Sequence, residues 1–334
     1  MNKKSIKILV AYHKVDTIFK NEFILPIHVG REVAMEESKD GHISNEDYNW
    51  LLNNMIGDNT GDNISYKNRE YSELTAIYWI WKNYDKIGNP DYISFMHYRR
   101  FLILNEYEYD NYNQTMEEKA YRNIHTGNLD ENGLLKYGFD YNTILDYINN
   151  YDLLLPYRSE LKLVNIENSR EDYKNTIEGL QVKDYDIMTD LICELYPDYK
   201  EYIYQQHNTS RRYFYNVFIM KKEIFFDYCK FLFSITEELY KKIDVSNYNI
   251  NAKRTIAYLG EALFDCYMRK LINKGNIRYK ELGVLKILDP NIIEKNYKSI
   301  INDKKIILGY WNTNKYLYIY LFFIRFTIKK KNIS

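Results

Sequence analysis

The sequence predicts an α/β fold in which a mostly parallel sheet is flanked by helices. Two apolar runs, residues 7–11 and residues 92–96, have the length of buried strands. Between them, residues 68–81 carry apolar and aromatic side chains at helical spacing. Strands that alternate with helices along a chain are typical of a sheet whose neighbouring strands run parallel.

The helix at residues 68–81 has start and stop signals. Asn68 suits the N-cap, because its side-chain oxygen can accept a hydrogen bond from a backbone N–H group of the first turn. Glu70 lies in that turn, where a negative charge is favourable, and Pro90 breaks the pattern. The same reasoning predicts polar loops at residues 26–31 and 57–63, strands at 151–156 and 214–220, and helices at 141–149, 187–196, 223–241 and 254–271.

Two segments depart from this alternation. Residues 105–132 are polar, acidic and rich in tyrosine, which indicates an insertion or flap within one α/β domain of residues 1–270. Residues 271–334 are predicted to form a helical extension. Within it, residues 316–328 are almost all aromatic or aliphatic and precede three lysines. We expect an interfacial helix on an anionic membrane there; the alternative is a terminal helix that closes the core.

Composition excludes several classes of protein. The 46 basic residues balance the 46 acidic ones, which argues against general nucleic-acid binding. Cys193, Cys229 and Cys266 are far apart and fall in helical patterns, so reduced thiols are expected rather than disulfides or a metal site. The first apolar run is too short for a signal peptide, which predicts a cytoplasmic protein.

A cationic cluster follows the strand at residues 92–96: His97, Tyr98, Arg99 and Arg100. Open α/β sheets bind ligands at the carboxyl ends of their strands, and Arg side chains match phosphate oxygens. The cluster therefore predicts a diphosphate site. Because side chains alternate along a strand, Arg99 and Arg100 should point in different directions, and one of them is alternatively a structural ion-pair partner.

The late helix carries a narrow polar face. Arg254, Tyr258, Glu261 and Asp265 are spaced at i, i+4, i+7 and i+11. A carboxylate on that face, if it lined a cleft, could deprotonate a hydroxyl group. The alternative is a solvated face with an Arg–Glu pair of little energetic value.

Several stretches of the chain resemble one family. They are Lys7-Ile8-Leu9-Val10-Ala11-Tyr12-His13-Lys14, Pro26-Ile27-His28-Val29-Gly30, Gly57-Asp58-Asn59-Thr60-Gly61-Asp62-Asn63, Lys67-Asn68, Glu73-Leu74-Thr75, His97-Tyr98-Arg99-Arg100-Phe101, Tyr215-Asn216-Val217-Phe218 and Tyr258-Leu259-Gly260-Glu261. Over about residues 6–270 the chain resembles the DUF4422 family of bacterial capsular and exopolysaccharide proteins, thought to be glycosyltransferases. It departs from that pattern at Glu261-Ala262-Leu263, where Glu-Arg-Leu is expected, and in residues 173–184, which lack an expected histidine.

The resemblance implies a GT-A-like (Rossmann-type) fold and a donor site for a nucleotide sugar. The donor-binding candidates are Tyr12, His13, His28, Asp58, Asp62, Asn63, Lys67, Asn68, His97, Tyr98, Arg99 and Arg100. Tyr12 would stack on the nucleotide base or is simply a buried aromatic. Asp58 and Asp62 would bind a cation or sugar, or serve ordinary turn chemistry. The catalytic candidates are Glu261 as general base, with Arg254 and Tyr258.

The implied activity is transfer of a hexose, galactose in pyranose or furanose form, from a UDP-sugar to a lipid-linked glycan, with inversion. The Asp-x-Asp of Asp184-Tyr185-Asp186 follows no apolar strand, so bound Mn²⁺ or Mg²⁺ is an alternative rather than an expectation. The enzyme would lie on the inner face of a bacterial membrane. The competing hypotheses are a non-catalytic glycan-binding or scaffold subunit and a nucleotide-sugar hydrolase.

Overall fold

The computed structural model describes residues 4–127, 129–288, 300–302, 306–312, 316–321 and 324–329. The chain divides into two compact units. The first comprises Met1–Ile124 and Asp130–Leu285, and the second comprises His125–Leu129 and Lys286–Ser334. Each unit is described by itself below.

The strands are β1 (Ile6–Tyr12), β2 (Ile24–His28), β3 (Ile56–Gly57), β4 (Tyr92–His97), β5 (Arg100–Leu102), β6 (Asn123–Thr126), β7 (Leu153–Pro156), β8 (Phe218–Lys221), β9 (Tyr279–Leu282), β10 (Val284–Ile287), β11 (Ile300–Asn302), β12 (Ile306–Asn312), β13 (Tyr316–Leu321) and β14 (Ile324–Lys329). The α-helices are α1 (Asn45–Asn54), α2 (Asn68–Tyr71), α3 (Leu74–Lys82), α4 (Glu106–Asp110), α5 (Met116–Tyr121), α6 (Glu131–Lys136), α7 (Tyr141–Asn150), α8 (Ser169–Thr176), α9 (Val182–Leu195), α10 (Lys200–His207), α11 (Lys222–Lys242) and α12 (Thr255–Asn273).

The central sheet of the first unit runs in the order β3-β2-β1-β4-β8-β7-β9. Strands β1 to β4 are parallel to their neighbours among these four, whereas β8 runs antiparallel to both β4 and β7. Strand β9 is parallel to β7. The mostly parallel sheet flanked by helices confirms the predicted fold class.

Both faces of β1 and β4 are buried, which explains their continuous apolar sequence. Leu9 and Phe95 pack into the main core with residues of α3, α9, α11 and α12. Ile8 and Val10 point to the opposite face and are also fully buried. Because only Lys7 and His97 in these two strands are partly exposed, the strands show no regular alternation of polar and apolar residues.

The predicted single helix at residues 68–81 is two helices. It breaks at Ser72, whose backbone has φ 46° and ψ −125°. This φ lies in the region that non-glycine residues rarely adopt. Arg254 donates from Nε to the Ser72 hydroxyl over 2.8 Å, a contact with a residue 182 positions away. A tertiary hydrogen bond thus supports a break that local sequence does not signal.

The prediction of a helical extension over residues 271–334 is wrong for the described part of that range. Helix α12 ends at Asn273, and strands β9 to β14 follow. In the second unit, β11, β12, β13 and β14 form an antiparallel sheet. The predicted interfacial helix coincides with β13 and β14, where tyrosine alternates with leucine and isoleucine, residues that favour strands. Lys330 and Lys331 lie outside the described residues.

Three smaller expectations also need correction. Residues 26–31 begin inside strand β2 rather than forming only a loop. Residues 105–132 contain α4, α5 and β6, and their role as a flap stays a prediction. The helix predicted at residues 187–196 begins earlier, because α9 runs from Val182 to Leu195. Among the described residues, no helix combines the length and apolar character needed to cross a membrane.

Candidate functional site

The carboxyl end of β4 meets the residues that precede β8, because these two strands are antiparallel. The His97 Nε2–H group donates to the Tyr215 carbonyl oxygen over 2.8 Å. Burial lowers the pKa of His97 to about 4, and the nearby charges of Arg100 and His13 act in the same direction against Glu73. His97 is therefore neutral at pH 7, and it does not supply the positive charge that the sequence predicted for it.

Glu261 lies on α12 and is partly buried. Burial raises the pKa of its carboxyl group to about 7. Glu73 raises this pKa further through its like charge, while Arg212 and Arg100 oppose the rise. Within the described chain, the Glu261 carboxylate has no side chain or backbone group as a hydrogen-bond or ion-pair partner. The side chain can therefore exchange a proton near neutral pH.

Glu73 directly precedes α3, and its charge acts on Glu261. The name Glu261 cluster is used below for the residues linked to these two carboxylates, namely Glu73, Arg100, Arg212, Tyr215, Asn216, Tyr258 and Glu261. Its Oε1 atom accepts a hydrogen bond of 3.0 Å from the Asn216 side-chain amide. Tyr258, one turn before Glu261, is influenced by the charges of both glutamates, and its hydroxyl accepts a hydrogen bond from Arg254 over 3.3 Å. The structure thus brings the predicted catalytic residues of α12 together with a carboxylate from α3.

The two arginines after β4 have different surroundings. Two guanidinium nitrogens of Arg99 contact the Asp16 carboxylate, with N–O distances of 2.9 and 2.7 Å. The Arg100 guanidinium lies 5.2 Å from the centre of the Tyr215 ring, and no carboxylate of the described residues lies within ion-pair distance of it. Arg99 lies in the two-residue turn between β4 and β5, whereas Arg100 is the first residue of β5. Arg99 is therefore the structural ion-pair arginine, and Arg100 is the one whose charge acts on Glu261.

Asp58 is fully buried and serves the architecture. Its carboxylate accepts hydrogen bonds from the backbone N–H groups of Gly30 and Arg31, at 2.7 and 3.0 Å. It also accepts from the Ser65 and Thr75 hydroxyls, both at 2.6 Å. All four contacts come from the protein itself, so the carboxylate is committed to tying loops together rather than to binding a cation.

His28 is 1% exposed and belongs to the same region as Asp58. Arg31 donates from Nε to His28 Nδ1 over 3.3 Å, which requires a neutral ring. Burial lowers the pKa of His28 to about 3. Its neighbour Arg31 also donates to the carbonyl of Met55 over 2.8 Å. His28 therefore supports the turn after β2 and is not exposed to a ligand.

The remaining candidates around α2 make local contacts. Asp62 is exposed and accepts a hydrogen bond from the Tyr78 hydroxyl, while Asn63 bonds within its own turn. Lys67 lies 4.3 Å from the centre of the Tyr240 ring. Asn68 donates to the Ser72 carbonyl over 2.8 Å and is not the N-cap. None of these contacts places the side chains in the Glu261 cluster.

The residues after β1 form a separate aromatic group. Tyr12 is fully buried and stacks on Tyr98 with ring centres 5.4 Å apart. Its hydroxyl donates to the Thr17 carbonyl over 3.1 Å. Since the ring has no exposed face, the prediction that Tyr12 stacks on a nucleotide base does not fit this placement. His13 lies edge-on to Tyr98, and its Nε2 atom lies 3.2 Å from a carboxylate oxygen of Asp40.

Asp184 and Asp186 do not form a metal-binding pair. Asp184 is fully buried and accepts hydrogen bonds from Tyr248 and Thr255. Asp186 is about half exposed and forms an ion pair with Arg170. Within the part of the chain that the structure describes, no group of three or more His, Cys, Asp or Glu side chains is arranged to hold a metal ion.

Four residues of the cluster are not among the site candidates from the sequence: Glu73, Arg212, Tyr215 and Asn216. Three of them, Glu73, Tyr215 and Asn216, do lie in stretches that carry the family resemblance. If residues 68–81 formed one helix, as the sequence predicts, Glu73 would be an ordinary polar position on the solvent-facing side of that helix. Tyr215 and Asn216 have φ values of 79° and 46°, and backbone strain of this kind is concentrated at functional sites. The conformation of Tyr215 is not visible in the sequence, although asparagine tolerates positive φ better than most residues.

Comparison with known proteins places the chain in a family. The profile of the family described as "Domain of unknown function (DUF4422)" matches residues 7–274, which confirms the predicted resemblance. The fold is similar to the apo structure of the bifunctional glycosyltransferase WbbM, with a TM-score of 0.71 and 34% sequence identity. That match covers 86% of this chain and 46% of the WbbM chain, so this chain spans less than half of that protein's length. No curated protein gave a significant match.

The four hydrogen bonds of Asp58 lead to a stability prediction. Asp58→Asn replaces one acceptor oxygen by an NH₂ group, so at least two donors lose their partner. We expect the free energy of unfolding to fall by about 2–4 kcal/mol in urea denaturation. Asp62→Asn, an exposed position in the same loop, is the control and should change it by less than about 0.5 kcal/mol. Equal effects of the two substitutions would contradict the architectural role of Asp58.

Proposed function

We propose that this chain, which belongs to the DUF4422 family, is a glycosyltransferase whose active site is the cluster around Glu261 and Arg100. One observation carries the proposal. The half-buried Glu261 carboxyl group, whose pKa burial raises to about 7, lies close enough to Arg100 for that charge to act on it, and Arg100 has no ion-pair partner among the described residues. A proton acceptor and an unpaired cation at one edge are what sugar transfer from a nucleoside diphosphate requires.

The proposed reaction is a single displacement at the anomeric carbon. An acceptor hydroxyl forms the new C–O bond and gives its proton to a Glu261 oxygen. The bond between the anomeric carbon and the diphosphate breaks, and its electron pair leaves with the diphosphate. Arg100 stabilises the negative charge on that leaving group through charge-assisted hydrogen bonds. A direct displacement of this kind inverts the anomeric configuration.

The contacts in the structure change the roles that the sequence suggests for the donor-binding residues. Arg100 is the main diphosphate ligand, because Arg99 is held by Asp16 and His97 is neutral. His97 retains an imidazole Nδ1 atom that can accept a hydrogen bond from a sugar hydroxyl. Arg254 and Tyr258 support the wall of the site, since Arg254 donates hydrogen bonds to both the Tyr258 and the Ser72 hydroxyls.

The substrates belong to the proposal. A UDP donor, a galactosyl group in pyranose or furanose form and a lipid-linked glycan acceptor follow from the family resemblance. The similarity to the bifunctional glycosyltransferase WbbM supports glycosyl transfer in general terms. Attachment to the inner face of the membrane is also proposed, although the interfacial helix first invoked for it is replaced by strands.

Nucleotide binding tests the donor site directly. Calorimetric titration with UDP, in EDTA and in Mn²⁺, should show binding that Arg100→Gln weakens about tenfold or more, because a charge-assisted hydrogen bond is lost. Arg99→Gln is the matched control and should change the Kd by less than about threefold.

The outcomes separate the competing functions. Absence of nucleotide binding in both media, together with glycan binding, would favour the scaffold or glycan-binding function. UDP-sugar turnover that needs no acceptor would indicate a hydrolase. Equal weakening by the Arg99 and Arg100 variants would contradict the assignment of Arg100 as the principal diphosphate ligand.

The raised pKa of Glu261 predicts the pH dependence of transfer. Only the ionised carboxylate accepts a proton, so kcat/KM should increase with pH and level off above about pH 7. Glu261→Gln should remove this limb and lower kcat by about 10²–10⁴-fold, with UDP affinity retained. A Glu261→Gln enzyme with full activity would rule out this residue as the base.

A further inference from the structure

We propose that Glu73 is a positioning residue of this active site, which acts through Glu261 and favours transfer of the acceptor's proton to it. The inference rests on the proposed function, because it assigns the base to Glu261. Glu73 was not a candidate from sequence, and it lies on a different element, directly before α3. Three structural observations support the assignment.

The first observation is the interruption of the helix. If the helix were not broken at Ser72, Glu73 would belong to the next turn of α2. The direction of its side chain would then be set by the geometry of α2. The strained Ser72 backbone and the Arg254 hydrogen bond instead hold residue 73 as the start of a new helix. Strain of this kind persists only where surrounding contacts enforce it.

The second observation is the turn that receives Glu73. Tyr215 and Asn216 both have positive φ. The turn is held by His97, which donates to the Tyr215 carbonyl. It presents the buried Asn216 amide to Glu73 Oε1 at 3.0 Å. Strained backbone from two distant parts of the chain therefore converges on one carboxylate.

The third observation is the set of charges around Glu261. The groups that act on it from neighbouring elements are Glu73, Arg100, Asp172 and Arg212, and the phenol groups nearby are Tyr215, Tyr228 and Tyr258. Arg212 is itself nearly fully buried and forms an ion pair of 2.6 Å with Asp172, so much of its charge is already balanced. Glu73 has no ion pair with any described residue. Of the two carboxylates whose charges act on Glu261, Asp172 is paired with Arg212, whereas Glu73 has no cation within ion-pair distance among the described residues.

These observations give Glu73 a chemical role. Gly260, the residue before Glu261, packs so closely on the side chain of Leu74, the residue after Glu73, that a Cβ atom on Gly260 would meet a Leu74 methyl group at 2.7 Å. Glu73 and Glu261 therefore lie on adjoining elements, where their like charges repel each other. When the acceptor hydroxyl transfers its proton to Glu261, one of those charges is neutralised and the repulsion disappears. The repulsion between Glu73 and Glu261 is therefore present before the proton transfer and absent after it. Because this repulsion is relieved as the proton moves, Glu73 lowers the barrier of the proton-transfer step.

The experiment compares the titration of Glu261 in wild type and in variants of Glu73. Glutamate labelled with ¹³C at the side-chain carboxyl is incorporated, and the Glu261 signal is assigned with Glu261→Gln. Glu73→Gln keeps the acceptor oxygen for Asn216 but removes the charge. We expect it to lower the titration midpoint of Glu261 by about 1 pH unit, the effect expected for a nearby like charge. The acid limb of kcat/KM should move by the same amount, with kcat reduced.

Two further variants control for structural effects. Glu73→Asp keeps the charge and should leave the midpoint near its wild-type value. Glu70→Gln removes a carboxylate three residues earlier, on α2, whose own charge interactions are with Arg69, Lys67 and Lys253, and should shift nothing. An unchanged Glu261 midpoint in a folded Glu73→Gln protein would overturn the inference. A normal shift in a protein that transfers no sugar would instead overturn the proposed function.

Discussion

One buried carboxylate holds the carboxyl edge of the sheet together. Asp58 collects donors from the turn after β2, from the loop before α2 and from Thr75 in the first turn of α3. Burying an ionised carboxylate is costly unless it is fully hydrogen-bonded, so these segments are stable only when they are joined. Because α3 is fastened in this way, Glu73 enters the site from a fixed position.

The site itself depends on balanced charges among half-buried side chains. Burial raises the pKa of Glu261 and makes it a stronger base than an exposed glutamate, while the charges of Arg212 and Arg100 limit that rise. Arg99 contributes no free charge because Asp16 neutralises it. Among the described residues, the same edge therefore holds an available cation, Arg100, and an available base, Glu261.

The sequence predicts the parts of this architecture that depend on local pattern. Strands β1 and β4 were recognised because both faces are buried, and α12 because its polar face repeats at helical spacing. The break at Ser72 and the turn at Asn216 were missed, since each depends on residues far away in the chain. The sequence leaves Asp58 open between a cation or sugar ligand and ordinary turn chemistry, because its Gly-Asn context gives no sign of the four donors that surround it. In β13, tyrosine alternates with leucine and isoleucine, which is a strand pattern. The prediction of an interfacial helix weighed the high hydrophobicity of this segment and not the period of its pattern.

The central claim is that the carboxyl edge of β4 is the donor site. A crystal structure of the wild-type protein with UDP bound tests this claim most directly. We expect the diphosphate to lie within hydrogen-bonding distance of the Arg100 guanidinium, with Glu261 on the side from which an acceptor hydroxyl would approach. A diphosphate bound elsewhere, with Arg100 still free, would contradict the claim.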